Sequence, residues 1–334
     1  MGELEEVSDL VQHIIQITVA HWLLLLGSLP AIALAEPPSQ RLQTDPARIE
    51  SESNFAGDPN GTPFPGSLRS LPSVKHVKVV EPKRPAQTVI HLRDWHFLVR
   101  DVFDADVQSV NDEPISSDEL DELYEDFLRE VEQVQAEQMV ILRFLIRHHG
   151  LRQVYSEGLT KRDMLIFKAK IGVMKKLEAE LPGYGRDLAH AKLRLLELRK
   201  EGQTDSDEYR TNEKLADEIE ALFHQHRLEL LRVGAAGRLL MAGELAAVLP
   251  IESETPFEGA NPVSEDGTVT LDLKKNEQRE DAQVRNLLKG EPLVVVVLGG
   301  AHDLSDNIIR LADESCRYVS VTTHGFEAAS GEGQ

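Results

Sequence analysis

The sequence predicts an α/β fold: a mainly parallel sheet flanked by helices, with a helical α-hairpin inserted. Three observations carry that reading. The run Leu293-Val294-Val295-Val296-Val297-Leu298 is apolar at every position, as in a parallel strand covered on both faces. Residues 87–157 read as strand, long helix and strand, and residues 276–322 alternate helix and strand again. Residues 160–245 carry helical periodicity almost throughout.

Taken in order, residues 10–35 hold no Asp, Glu, Lys or Arg, centre on Trp22-Leu23-Leu24-Leu25-Leu26 and end in Ala33-Leu34-Ala35, a small-x-small cleavage pattern. Residues 1–35 are expected to be a signal peptide or an N-terminal membrane anchor, although Glu3, Glu5, Glu6 and Asp9 stand where export signals usually carry basic residues. The chain is accordingly expected to be exported, periplasmic or anchored at the cell envelope, with this segment meeting membrane or export machinery. Residues 36–85 hold nine of the 16 prolines, a composition that cannot offset its ordering entropy, so a disordered linker is expected, with Val77-Lys78-Val79-Val80 able to form a short edge strand.

The α/β domain is placed at 86–325. Thr88-Val89-Ile90-His91-Leu92 is the first strand, followed by an acidic loop. Ser116 and Glu119 have capping-box spacing and open a helix with apolar positions Leu120, Leu123, Phe127, Val131, Val134, Ile141, Leu142 and Leu145, closed by Gly150. Gln153-Val154-Tyr155 is the second strand. The helical insertion comes next, with breaks expected at Pro182-Gly183-Tyr184-Gly185 and Gly202-Gln203-Thr204 and close packing at Gly234-Ala235-Ala236-Gly237. A further strand is expected at 246–251, with Glu252 at its end, then a loop and a helix from Asn276 to Leu288. Beyond the Val-rich strand, Ser305 can cap a helix from Asp306 to Glu314, and Tyr318-Val319-Ser320-Val321-Thr322 closes the sheet. Residues 326–334 are expected to be a mobile tail.

The balance of 57 acidic against 36 basic residues, a net charge of −21, argues against nucleic-acid binding and against docking on anionic lipid, both of which need a basic surface. The partner expected instead is a small-molecule or peptide substrate. The one cysteine, Cys316, excludes an internal disulfide or a CxxC zinc site.

The chemistry concentrates in three stretches, each placed just after an apolar run: Arg93-Asp94-Trp95-His96, Tyr155-Ser156-Glu157-Gly158 and Gly299-Gly300-Ala301-His302. Parallel strands deliver the residues beyond their ends to the carboxyl edge of the sheet, where open α/β folds bind ligands. His96, Glu157 and His302 could there hold a divalent ion, or activate water through a histidine base oriented by a carboxylate. Asp94 is a candidate to orient His96 or add a ligand. Arg93, Arg279, Gly299 and Gly300 are candidates for substrate contact. His91 lies inside a strand and suits a buried structural role, His148 and His149 complement a helix C-terminus, and His224 and His226 are too close in sequence to share one helix face.

Together these motifs resemble the superfamily of erythromycin esterases, TraB/Tiki proteins and ChaN-like haem-binding lipoproteins. In that group a first strand leads into Gly-Glu-x-His or Gly-x-x-His, a second strand ends in Glu, and a late apolar strand ends in a glycine-rich turn with His. Asp94-Trp95-His96, Glu157-Gly158 and Gly299-Gly300-Ala301-His302 match in that order, with Arg93 in place of the first glycine, and Arg279-Glu280-Asp281 resembles the group's Arg-Asn or Arg-Asp pattern. The resemblance implies an exported hydrolase, peptidase-like or esterase-like, with a divalent ion (Zn, Mn or Co) or a metal-free histidine base. It implies as an alternative a haem or small-ligand binding module flanked by Trp95 and Tyr155. A non-catalytic scaffold that recruits a partner through the helical insertion is the third reading.

Overall fold

The computed structural model describes residues 65–331 apart from 110, 112 and 261–271. The expected leader, the linker as far as residue 64, and most of the loop before residue 272 lie outside the described residues. No helix among the described residues is long and apolar enough to cross a membrane.

Among the described residues six strands form one sheet: β1 (Val74–Val80), β2 (Gln87–Asp94), β3 (Gln153–Ser156), β4 (Ala247–Pro250), β5 (Leu293–Gly299) and β6 (Cys316–Thr323). Their spatial order is β1-β6-β2-β5-β3-β4, all parallel to their neighbours except β1, which pairs antiparallel with β6 at one edge. The Val-rich strand β5 is thus central. It lies between β2 and β3, which do not pair with each other as a simple strand–helix–strand unit would. The reason is visible in its burial: Val295 and Val297 pack on one face with Ile90 and Leu92, while Val294, Val296 and Leu298 pack on the other with Val89 and Tyr318. Each such buried side chain contributes about 1.5–3 kcal/mol of transfer free energy, which favours an interior position for an all-apolar strand.

Helices cover both faces. On the first lies α2 (Ser117–His149), opened by Ser116, whose side chain accepts from Glu119 N, and closed by Gly150 at φ 66°. Before it, α1 (Arg100–Ser109) replaces the expected acidic loop. Its charges form the intrahelical pair Arg100–Asp104 (2.6 Å), while Phe103 is buried against Tyr124 and Phe127. The insertion is a pair of long helices, α3 (Met164–Lys200) and α4 (Asp207–Met241). The expected break at Pro182 is absent: Pro182 sits inside α3, where it removes one backbone donor while packing against α4 carries the helix through. The turn at Gly202 (φ 71°) is the true corner, and Ser206 caps α4. Near its end, α4 leaves helical geometry at Gly234 (φ 68°).

On the other face, after the short α5 (Glu254–Gly259), lies α6 (Leu273–Leu287). It begins one turn earlier than its periodicity suggests, because Asp272 accepts from Lys274 N and Lys275 N. Next, α7 (Ser305–Leu311) is held at its start by Asp303, which accepts from Ser305 N, so Ser305 is not the cap; it ends early as Asp313 and Glu314 adopt positive φ. Two boundaries need correction. The folded part reaches back into the expected linker, through β1 and a 3-10 turn, Gly66–Ser70, that buries Leu68 completely. The expected mobile tail forms α8 (His324–Ser330) as far as residue 330, anchored by Phe326, which is 2% exposed. One aromatic anchor and the Thr323 cap on Phe326 N outweigh the Gly-rich composition there.

Candidate functional site

The register of three strands builds the site. Asp94, the last residue of β2, pairs with Gly299, the last of β5, and Gly300 N donates to Asp94 O (3.0 Å). From the other side of β5, Ser156 pairs with Val297 and Glu157 N donates to Val297 O (3.1 Å). All three stretches therefore leave the sheet at one place.

Glu157 is the hub. Its Oε2 accepts from Gly299 N (2.6 Å) and lies 3.0 Å from His96 Nε2. Its Oε1 accepts from Arg279 Nη2 (2.7 Å) and lies 3.3 Å from His302 Nε2. Each histidine faces a second carboxylate at its other nitrogen: His302 Nδ1 is hydrogen-bonded to Glu280 (2.8 Å), and His96 Nδ1 lies 3.5 Å from Asp94. Asp94 is itself fixed by Gln138 Nε2 (2.8 Å). Arg279 also binds Glu252 (2.6 Å), a carboxylate 3% exposed that takes a further bond from Gln283 (3.0 Å).

This crowding sets the electrostatics. Burial works against charge on His96, but Asp94 and Glu157 outweigh it and raise its pKa to about 10. Burial likewise opposes charge on His302, yet Glu157 and Glu280 raise it to about 9. Burial would lift Glu157, and the two imidazoles instead hold it well below the usual carboxylate range. An imidazole that donates Nδ1–H to one carboxylate turns its Nε2 lone pair on another, a repulsive contact unless a cation, proton or metal ion, sits between. His302 is in that position, and His96, with Nδ1 3.5 Å from Asp94, approaches it. Among the described residues no three His, Cys, Asp or Glu side chains stand ready around one metal position, since the two imidazoles address opposite oxygens of Glu157. The donor set still suits one: two imidazole Nε2 atoms and a carboxylate, each ring oriented by a carboxylate at Nδ1 as metal-ligating histidines are.

Behind the site, fully buried His91 is bonded to Tyr318 OH (2.8 Å) and to Leu298 O (3.0 Å). A carbonyl only accepts, so Nε2 carries the proton. The same peptide unit donates Gly299 N–H to Glu157, so His91 braces the hub from behind. Burial pushes the His91 pKa down to about 4. Its folded value lies below the unfolded 6.5, so the unfolded chain binds the extra proton between those pH values. In chelator-treated protein, stability should therefore climb by on the order of 3 kcal/mol from pH 4 to 6.5 through His91. His96 and His302 have the opposite sign: their stabilisation is complete below pH 6.5 and fades as pH rises through 9 to 10. Urea unfolding across pH 4–10 should give a maximum near pH 6.5; a flat profile would contradict this arrangement.

A cavity of about 290 Å³ opens beside the hub, lined by Asp94, His96, Glu157 and Arg279 on one side and residues 231–236 of α4 on the other. His96 faces it half exposed, whereas His302 sits behind Glu157 and does not line it. Strand alternation turns Arg93 away from the cavity. It donates to Gly300 O (2.6 Å) and stacks on Phe326 (4.3 Å), so its expected contact with substrate is replaced by bracing the glycine turn. Gly300 abuts Phe326, and Gly299 abuts His96 and Glu157; neither lines the cavity, and both serve close packing. Arg279 lines the cavity, with Nε and Nη2 committed to Glu157 and Glu252. Trp95 packs edge-on against Phe326, and Tyr155 lines a separate groove with Lys161 and Lys289, so neither flanks this cavity.

Gln138 and Gln283 join the site beyond the residues that the sequence singles out, and so do, as side chains without an expected role there, Glu252 at its strand end and Glu280 of the Arg279-Glu280-Asp281 pattern. Glu252 carries the same signal as Glu157, a carboxylate just beyond an apolar strand. The two glutamines carry none, because a buried amide is invisible until the packing around it is known. Comparisons of the chain with family models, with curated proteins and with solved structures returned no match.

Proposed function

We propose that the chain is a hydrolase of small amides or esters, with His96, Glu157 and His302 holding a divalent metal ion at the carboxyl edge of the sheet. The observation that supports this most is the paired arrangement of the histidines. Each presents Nε2 to Glu157 while a second carboxylate stands at Nδ1, hydrogen-bonded for His302 and 3.5 Å away for His96. When bound, such an ion supplies a Lewis acid for a carbonyl oxygen and lowers the pKa of water.

The chain's own residues divide the remaining work. Asp94 and Glu280 orient the imidazoles and keep the proton on Nδ1. Arg279 and Gly299 N–H take one lone pair of each Glu157 oxygen, which fixes the carboxylate plane. His96, the exposed member, borders the space where substrate enters. Glu252 balances the Arg279 charge out of reach of the cavity.

The test is hydrolysis of chromogenic esters and anilides by the full chain, before and after chelation and reloading with Zn²⁺, Mn²⁺ or Co²⁺. Activity should vanish on chelation and return with one of the ions. His302→Ala should lower kcat/KM by about 10²-fold or more and weaken metal retention by more than the roughly 10–100-fold that loss of an orienting partner alone costs. Unchanged hydrolysis in His302→Ala would overturn the proposal.

A further inference from the structure

The wall of the cavity opposite Glu157 is a built feature that the hydrolytic centre does not explain. There α4 breaks at Gly234 (φ 68°, ψ −178°). Gln135 of α2, 2% exposed, donates Nε2 to Leu231 O (2.7 Å) and so caps the helix on the near side of the break. Its Oε1 is buried with no hydrogen-bond partner among the described residues, and Gln135 lines the cavity. Such an orphan acceptor costs about 1–3 kcal/mol unless a donor meets it.

Beside it stands Arg232, also in the cavity lining, its guanidinium 5.7 Å from the ring of Phe97, the residue next after His96. Arg232 Nη1 binds Glu229 Oε1 (2.9 Å), and Lys170 pairs with the other oxygen of the same carboxylate. One anion is thus shared by two cations. The cluster carries a surplus positive charge in a chain of net charge −21. Of that cluster Arg232 lines the cavity, and together with Gln135, whose Oε1 is buried without a partner, it stands opposite the wall that carries His96 and Glu157.

We propose that Arg232 and Gln135 form the recognition subsite for a small amide that bears a carboxylate, of the N-acyl amino acid type. The carboxylate meets the Arg232 guanidinium, the amide N–H donates to Gln135 Oε1, and the acyl carbonyl is left for the His96 wall. A volume of about 290 Å³ lies at the lower end of small-molecule sites, which run from about 300 to 1,000 Å³, and suits such a compact ligand rather than a polymer. This assignment rests on the hydrolase reading for its reaction. Water oxygen bonds to the acyl carbon, the C–N bond breaks, and the nitrogen leaves with a proton from the water, giving a carboxylic acid and a free amino acid.

Calorimetric titration of the full chain with N-benzoylglycine and with its methyl ester tests the subsite without requiring turnover. The acid should bind at least about tenfold more tightly than the ester. Arg232→Met should bind acid and ester alike, Arg232→Lys should recover part of the preference, and Gln135→Met should weaken both ligands. Equal binding of acid and ester by the unmodified chain, no binding of the acid, or a preference that survives in Arg232→Met would each overturn it. If the acid binds with this pattern but is not cleaved, the subsite stands and the hydrolase reading falls.

Discussion

Glu157→Gln should abolish hydrolysis, lowering kcat/KM by about 10³-fold or more, and should also cost about 3–5 kcal/mol of stability. The carboxylate is nearly buried and takes donors at both oxygens: Gly299 N–H and the His96 side at Oε2, Arg279 and the His302 side at Oε1. A carboxamide keeps the shape, but its NH₂ group faces donors wherever it turns, and Arg279 loses half of its compensating charge. The loss should appear in a urea titration as a lower midpoint with an unchanged slope. Glu157→Asp separates the two effects, since it restores the charge but withdraws it by one methylene from both imidazoles. Stability should then return in part while activity stays low. Full activity in Glu157→Gln would remove the hub from the mechanism.

Gly299→Ala should be the reverse case, a loss of activity with little loss of stability. Gly299 is a strand residue with no positive φ, so alanine is compatible with its backbone. The added Cβ meets His96 Nε2 and comes within 3.2 Å of Glu157 Oε2. Glu157 is pinned by Arg279, whereas the His96 ring is half exposed and yields. A displacement of that ring by about 1 Å should lower kcat/KM by about 10²-fold. The urea midpoint should move by less than about 1 kcal/mol equivalent, because the displaced group turns toward solvent. A variant that retains activity would show that His96 does not need its present position.

These two residues also mark how far the sequence can be read. The all-apolar run of β5 announces a central parallel strand, and the polar residues at the ends of β2, β3 and β5 announce a shared edge. That is why the meeting of His96, Glu157 and His302 at one place is legible in the sequence alone. Periodicity does not tell that β5 passes between β2 and β3, since strand order depends on which faces the helices cover. Arg93 and Asp94 are neighbours of equal polarity in the sequence. Only the pleat separates them, sending Asp94 to His96 and Arg93 to Phe326. Helix α8 is hidden because one buried phenylalanine outweighs a glycine-rich composition, and α1 is hidden because Phe103 alone of its ten residues is buried. The Gly234 break is visible as small residues but not as a cavity wall, which needs Gln135 from ninety-odd positions earlier to cap Leu231 O.

The proposed function turns on His96 and His302 binding one ion together with Glu157. X-ray absorption at the metal edge, on chelator-treated full chain reloaded with a single equivalent of Zn²⁺ or Co²⁺, measures this directly. The expected spectrum shows scattering from two imidazoles and from oxygen donors, one imidazole in His302→Ala, and no retained ion in the His96→Ala/His302→Ala double variant. An unmodified chain that retains no ion, or a double variant with an unchanged spectrum, would contradict it.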